Sequence, residues 1–376
     1  MSSVQVITAT AKNWIEALNR LTPATSGKKA LPILGMFHVD PATGALFAIG
    51  KDVRAESVLA DADGTGSPFL VNYSWLRDAI TSTTGRNRNA DVQLTLNGNQ
   101  LTVEAQGFSL SSETVPLKDF PAKELDGKVA SHIAVDAAEL RAALSRALMA
   151  SESSGYIPLL ASVHFESAEH GLRMLSTDRF RLVSDLVVGP GSGESSFTLP
   201  AAALKNLVKQ FKAGAVHIDV IENGPVRFTA DGATYSVTRI DGDYPDLGRL
   251  LKVEPTTIID VNRVQLLEAA RVAALMSERN TPAYLELGTD GVQVRFNDGV
   301  FGPDKAPLAT GTLAGEPVEI AFNSKYLLDV MSSFKGETVR IHGANPIKQF
   351  TFMDGGVDAL DATVYRHALM PVRMPR

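Results

Sequence analysis

Apolar residues recur along this chain in two alternating rhythms. Trp14, Leu18 and Leu21, then Leu204, Leu207, Val208 and Phe211, then Leu327, Val330, Met331 and Phe334 follow the i, i+3, i+4, i+7 spacing of a helix with one buried face. Between such stretches the period drops to two. VQLTLNGNQLTVEA at 92–105 and VHIDVIENGPVRFTA at 216–230 read as strand pairs joined by Asn-Gly-type turns.

The same order of elements is written three times. A strand running into an amphipathic helix occurs as VQVITATAKNWIEALNRL from Val4, SHIAVDAAELRAALSRAL from Ser131 and TTIIDVNRVQLLEAARVAAL from Thr256, with Trp14, Leu140 and Leu266 spaced 126 residues apart. A second strand-helix pair recurs as FLVNYSWLRDAI from Phe69, FTLPAAALKNLVKQF from Phe197 and VEIAFNSKYLLDVMSSF from Val318. Such a period is too long for a solenoid and predicts triplicated domains. The expected fold is α+β, with two helices packed on antiparallel sheet in each of three domains. Pro, Gly and charge replace apolar periodicity at KDFPAKELDGK (118–128) and LKVEP (251–255), which divides the chain into 1–125, 126–253 and 254–376.

Composition narrows the chemistry. The chain has no Cys, which excludes disulfides, zinc-thiolate sites, iron-sulfur clusters and Cys nucleophiles. Its start, MSSVQVITATAKNW, lacks the basic and apolar regions of a signal peptide, and no apolar run reaches membrane-spanning length, so a soluble cytoplasmic protein is expected. The seven His show no close metal-ligand spacing, and no metal or cofactor is expected. There is no Walker A loop. Gly189, Gly191 and Gly193 read as a flexible hairpin connection, and Asp241 with Asp243 as turn formers. Ser332 and Lys335 match the S-x-x-K pattern of penicillin-binding enzymes without its companion motifs, which leaves a Ser/Lys hydrolase as the alternative from another class.

The net charge of -6 hides a division: six helix windows together carry +6 and the rest of the chain -12. Lys205, Lys209 and Lys212 form a stripe on the fourth helix, Arg86 and Arg88 follow the second, and Lys28 with Lys29 precede Leu31. Solvated helix faces account for this, and so does a surface that holds a phosphate backbone without reading its sequence.

Two local features stand out. At 172–183, LRMLSTDRFRLV reads as two strand edges around a polar turn that carries Phe180 between Arg179 and Arg181. The chain also ends on the apolar tail YRHALMPVRMPR, which suits an edge strand with a short plug or a groove lining. MPVRM, LPILG at 31–35, TDRFRL at 177–182, FSLSSETVPLKDFP at 108–121 and YPDLGRLL at 244–251 together resemble the bacterial sliding clamp family, the beta subunits of DNA polymerase III.

The resemblance spans the whole chain and implies a head-to-tail homodimer closing into a ring, helices inside and sheets outside. It implies a non-catalytic processivity factor that encircles duplex DNA without sequence preference and tethers the replicative polymerase, the clamp loader and other clients through short apolar peptides. Position by position, the client groove would comprise Leu160, Thr177, Arg179, Phe180, Arg181, Leu182, Pro245, Arg249, Leu250, Ile347, Gln349, Ala368, Leu369, Met370, Pro371, Val372 and Arg373. The dimer contact would join Phe108 and Leu110 to Ala274 and Leu275, flanked by Arg271 and Glu278. DNA contacts would fall on Lys28, Arg86, Arg88, Lys205, Lys209 and Lys212. This chain departs from many members at Arg179-Phe180, where they have Gly-His, at Ala201-Ala202, where basic residues are common, and at Pro375-Arg376, which extend the usual end. A paralogous clamp, phage-borne or serving antibiotic resistance, with altered client preference is the alternative within the family.

Overall fold

Among the described residues, strands ending in a capping residue launch five of the six α-helices. The computed structural model describes residues 4–25, 32–121, 127–168, 170–252, 254–276, 282–296, 305–358, 361 and 363–373. The first repeat runs β1 (Gln5–Thr10), α1 (Ala11–Thr25), β2 (Met36–Val39), β3 (Ala45–Ile49), β4 (Val53–Val58), β5 (Asp63–Thr65), β6 (Phe69–Asn72), α2 (Tyr73–Thr84), β7 (Asp91–Asn97), β8 (Gln100–Ala105) and β9 (Phe108–Glu113). The second runs β10 (Val129–Asp136), α3 (Ala137–Met149), β11 (Ser162–Ala168), β12 (Gly171–Thr177), β13 (Arg181–Val188), β14 (Gly191–Ser192), β15 (Ser195–Pro200), α4 (Ala201–Leu207), β16 (Ala215–Ile221), β17 (Val226–Ala230) and β18 (Ala233–Val237). The third runs β19 (Thr257–Asn262), α5 (Arg263–Met276), β20 (Pro282–Gly288), β21 (Gly291–Arg295), β22 (Ala309–Gly315), β23 (Val318–Asn323), α6 (Ser324–Ser333), β24 (Thr338–Gly343), β25 (Phe350–Asp354) and β26 (Arg366–Leu369).

Thr10, Asn72, Asp136, Asn262 and Asn323 each accept from a backbone N–H in the first turn of the following helix. Pro200 offers no such side chain. α4 ends at Leu207 and tightens into a 3-10 turn over Val208–Gln210. This corrects the expected stripe of three lysines on the fourth helix: Lys209 lies in the 3-10 turn and Lys212 beyond it, its backbone N–H donating to Asp231 Oδ2 at 3.3 Å. The glycine segment at 189–193 is also more ordered than a free connection, because β14 pairs with β10 through Ile133 and His132.

The helices pair within repeats, α1 on α2, α3 on α4 and α5 on α6, and α1 also touches α4. Their apolar faces pack on the sheets, with Trp14, Leu18, Leu21, Leu204, Leu207, Phe211, Leu327, Val330 and Met331 in one continuous core.

Strand pairing runs across the repeats. β18 pairs antiparallel with β4, matching Ala233 with Ser57 and Val237 with Val53. β26 pairs antiparallel with β13, matching Arg366 with Ser184 and Leu369 with Arg181. The result is a nine-stranded sheet, β14-β10-β16-β17-β18-β4-β3-β2-β6, and a twelve-stranded one, β15-β11-β12-β13-β26-β25-β24-β19-β22-β21-β20-β23. The tail is therefore an inner strand between β13 and β25, not the edge strand its sequence allowed. A third sheet, β5-β1-β7-β8-β9, ends on β9.

Candidate functional site

The polar turn between β12 and β13 is built by one carboxylate. Asp178 Oδ1 accepts the backbone N–H groups of Phe180 and Arg181, both at 3.0 Å, while Thr177 Oγ1 accepts that of Arg179 at 3.0 Å. Phe180 is left 56% exposed at the tip, and its carbonyl accepts the Met370 N–H at 2.8 Å, which fixes the tail against the turn. Val372 N–H continues to Ala321 O at 2.7 Å.

Antiparallel partners share a face, so Thr177, Leu182 and Ala368 form one row across β12, β13 and β26. Over this row folds the segment 244–251, whose Leu247 and Leu251 pack with Leu175, Leu182 and Ala368 in a small core of their own. Gln349 Nε2 donates to Leu250 O at 2.5 Å and ties the 344–349 turn to that segment. Phe180, Leu250, Ile347, Met370 and Val372 are exposed apolar side chains carried by these linked pieces. Pro245, Arg249 and Arg373 are exposed and Pro371 is half-buried, with Arg249 paired to Asp246 at 3.2 Å.

Period two also corrects the expected lining. Arg181 and Leu369 face away from the Leu182–Ala368 row: Leu369 is buried in the main core, and Arg181 reaches α6. Its Nη1 donates to Asp329 Oδ2 at 2.7 Å, its Nε to Asp178 Oδ2 at 3.0 Å, and its guanidinium lies 4.3 Å from the Tyr326 ring centre. Burial, then the nearby Asp178, pushes the Tyr326 hydroxyl pKa up. Leu160 is buried just before β11, in a turn whose carbonyl accepts the Glu152 N–H.

Arg179 has φ 78°, a left-handed conformation that favours glycine. Arg therefore carries backbone strain at the tip of this turn. Replacing Arg179 by Gly relieves about 1–2 kcal/mol of steric cost and gives back about 0.5–1 kcal/mol in chain entropy. Denaturant unfolding of Arg179→Gly should show a gain of about 0.5–1 kcal/mol; a loss would show that the Arg side chain makes compensating contacts.

A second region concerns the chain's ends. Among the described residues β9 pairs with β8 on one side only, and Phe108 (58% exposed) and Leu110 (36%) lie two residues apart on one face. On α5, Leu275 is 84% exposed and Ala274 half-buried. Sequence reasoning missed Val272 and Met276, which extend this apolar surface; their exposure in a helix of otherwise ordinary pattern was the signal. Beside them a cavity of about 350 Å³ is lined by Ala269, Val272, Phe296, Ala306, Pro307 and Leu308 with polar Gln265, Glu268 and Lys305. Arg271 is exposed on the same helix; Glu278 lies outside the described residues.

Of the expected DNA-contacting cations, Arg86, Arg88, Lys205, Lys209 and Lys212 are all exposed. Arg88 O accepts the Lys12 N–H at 2.8 Å, so the first two stand at the start of α1. The lysines belong to α4 and the turn after it, and α1 packing on α4 is the link between the two groups. Lys28, Lys29, Leu31, Pro375 and Arg376 lie outside the described residues.

Ser332 and Lys335 are exposed at the end of α6, and it is Ser333 that is buried there, accepting from Tyr365 at 2.9 Å and donating to Val330 O at 2.6 Å. Among the described residues no three His, Cys, Asp or Glu converge to hold a metal, and no helix is long and apolar enough to cross a membrane.

Residues 134–246 match the family model for the DNA polymerase III beta subunit, central domain, and residues 249–367 that for its C-terminal domain. Among curated proteins, the Beta sliding clamp of Escherichia coli strain K12 is 23% identical over 374 residues, covering 98% of this chain and 99% of that one. The Beta sliding clamp of Streptococcus pneumoniae serotype 4 is 22% identical over 363 residues, covering 92% and 94%. Among solved structures, the DNA polymerase sliding clamp of Bacillus subtilis superimposes with a TM-score of 0.89 at 18% identity, covering 99% of this chain and 100% of that one. The sliding clamp of Pseudomonas aeruginosa bound to griselimycin gives 0.87 at 21% identity, with the same coverage.

Proposed function

The chain belongs to the DNA polymerase III beta subunit family, and from this premise we propose that two copies close head to tail into a ring that slides on duplex DNA and tethers a replicative polymerase. Members of the family are processivity factors without catalytic activity of their own. The proposal takes 1–125, 126–253 and 254–376 as the clamp domains and the cytoplasm, where chromosomal DNA is copied, as the place of action.

The observation that carries the ring is the pairing between repeats. β9, β18 and β26 are the last strands of the three repeats. β18 pairs with a strand of the repeat before it, and so does β26. β9 has no repeat before it and keeps a free edge among the described residues. A head-to-tail contact repeats the internal rule between molecules, with β9 of one copy against the third repeat of the other, and such contacts close when the rotation permits. Phe108 then meets the α5 surface and the cavity beside it, which covers an edge strand that would otherwise template aggregation.

Within the ring the exposed Lys205, Lys209, Lys212, Arg86 and Arg88 face phosphates, with Lys28 as a further candidate. Such contacts are sequence-independent and weak one by one, so the ring moves while its closure keeps it on the duplex. The exposed apolar set of Phe180, Leu250, Ile347, Met370 and Val372 receives a client's short apolar peptide, and tethering keeps that client at high effective concentration. Arg179 and Phe180 set the client preference of this clamp.

Leu275→Asp places a charge in the contact and should halve the mass found by sedimentation equilibrium at micromolar concentration, from two chains to one. A parent protein that already sediments as one chain, or a variant that stays paired, would contradict the assigned contact.

A further inference from the structure

Under the segment that covers Leu182 lies a cavity of about 450 Å³, in the size range of small-ligand sites. Its floor is a cross-strand row, His164 on β11, Leu175 on β12, Ser184 on β13 and Arg366 on β26, each the register partner of the next and all on one face. Tyr244, Leu247, Leu251 and Lys252 form the roof, and Arg173 with Glu166 closes one side.

Arg366 is the unbalanced member. It is 5% exposed, donates from Nη1 to Leu251 O at 3.3 Å, and has no acceptor for its Nε among the described residues. Among the described residues no carboxylate forms an ion pair with it. Arg173 pairs with Glu166 at 3.7 Å and donates to Ser184 Oγ at 3.3 Å, and Asp246 pairs with Arg249. Asp361, whose charge favours the Arg366 cation, accepts from Thr363 N and Oγ1 at 2.8 and 2.6 Å and makes no hydrogen bond to Arg366. A second polar group nearby is equally bare. His342 is 2% exposed with neither ring nitrogen hydrogen-bonded, and it lies in the adjoining row through Thr351 to Ala368, two residues from Arg366. A buried guanidinium with no carboxylate hydrogen-bonded to it is costly, and its planar fork of N–H donors fits the oxygens of an oxyanion.

We propose that this cavity binds a tetrahedral oxyanion, inorganic phosphate or the phosphoryl group of a small phosphate monoester, with Arg366 as its principal donor and Arg173, Ser184 and Lys252 around it. The site adjoins the apolar peptide groove, with Pro245 common to both, and differs from it in its polar floor; it is separate from the cations expected at DNA phosphates. It stands on this geometry whether or not the ring reading holds.

Thermal unfolding of the full chain is the test, with phosphate or AMP replacing chloride at constant ionic strength. At a hundredfold excess over its Kd, a bound oxyanion should raise Tm by about 3 °C for a chain of this length. Arg366→Met should raise Tm in chloride, because the unpaired charge is gone, and remove the response to phosphate. A response to both phosphate and AMP assigns the site to phosphate monoesters, and a response to phosphate alone assigns it to the free ion. Broadening of the phosphorus NMR line of phosphate by the parent protein supplies a readout that does not depend on the variant folding. No response to either anion beyond chloride, with no broadening, overturns the proposal, as does a response undiminished in a folded Arg366→Met.

Discussion

Lowering the pH from 8 to 5 should cost this protein about 4 kcal/mol of stability, before most carboxylates titrate. The cause is two histidines buried as neutral rings. His367 is 0% exposed, and burial, with Arg181 adding to it, pushes its pKa down to about 3. His342 is 2% exposed, and burial, then Arg366 and Arg340, pushes its pKa down to about 4. The hydrogen bonds around His367 agree with a neutral ring. Ser333 donates to Val330 O and Tyr365 donates to Ser333, so the ring must donate from Nδ1 to the Tyr365 oxygen at 2.9 Å.

In the unfolded chain both rings take up protons near pH 6.5, whereas in the folded chain they do so only near 3 and 4. Between these values the unfolded state binds more protons, so stability is full above about pH 6.5 and is lost as pH falls, by about 1.4 kcal/mol per unit for each ring. Asp185 works in the opposite direction, since burial raises its pKa. Denaturant unfolding at pH 8, 6 and 5 measures the slope. His367→Gln should remove about half of it, and an unchanged slope in that variant would assign the acid sensitivity elsewhere.

Arg181→Ala should cost about 3 kcal/mol and weaken binding of a short apolar client peptide at least tenfold. Arg181 and Asp178 are only 11% and 10% exposed at their side chains, so the pair is largely shielded from water. Removing the guanidinium leaves Asp178 with its two backbone donors and no cation, and removes the 2.7 Å bridge from this turn to Asp329 on α6. The bridge joins elements of the second and third repeats, so its loss frees Phe180 and the Met370 strap to move apart. Arg181→Lys keeps the charge without the fork and should fall between the two. A loss below 1 kcal/mol with unchanged peptide affinity would show that the turn holds its shape through Asp178 and the backbone alone.

Much of the fold was legible because its signals are local. The six strand-helix units, the Asn-Gly turns and the apolar helix faces depend on residues within one or two turns of each other. The missing side-chain cap of α4 was also written locally, in Pro200 standing where the other launching strands end in Asn, Asp or Thr. What could not be read was which strand pairs with which across repeats. Alternation says that Leu369 and Ala368 point opposite ways, but only the pairing of β26 with β13 decides that Ala368 joins the groove row and Leu369 the core. The family resemblance supplied a groove membership list without that sense of direction. It was silent on Arg366, whose burial follows from the same long-range pairing.

The ring itself is tested most directly by topology. After loading onto nicked circular duplex DNA, the protein should remain bound through a wash at moderate salt and leave within minutes once the circle is cut to a linear duplex with free ends. Equal loss from circular and linear DNA, or equal retention on both, would mean that direct phosphate contacts and not encirclement hold the protein, and would contradict the account.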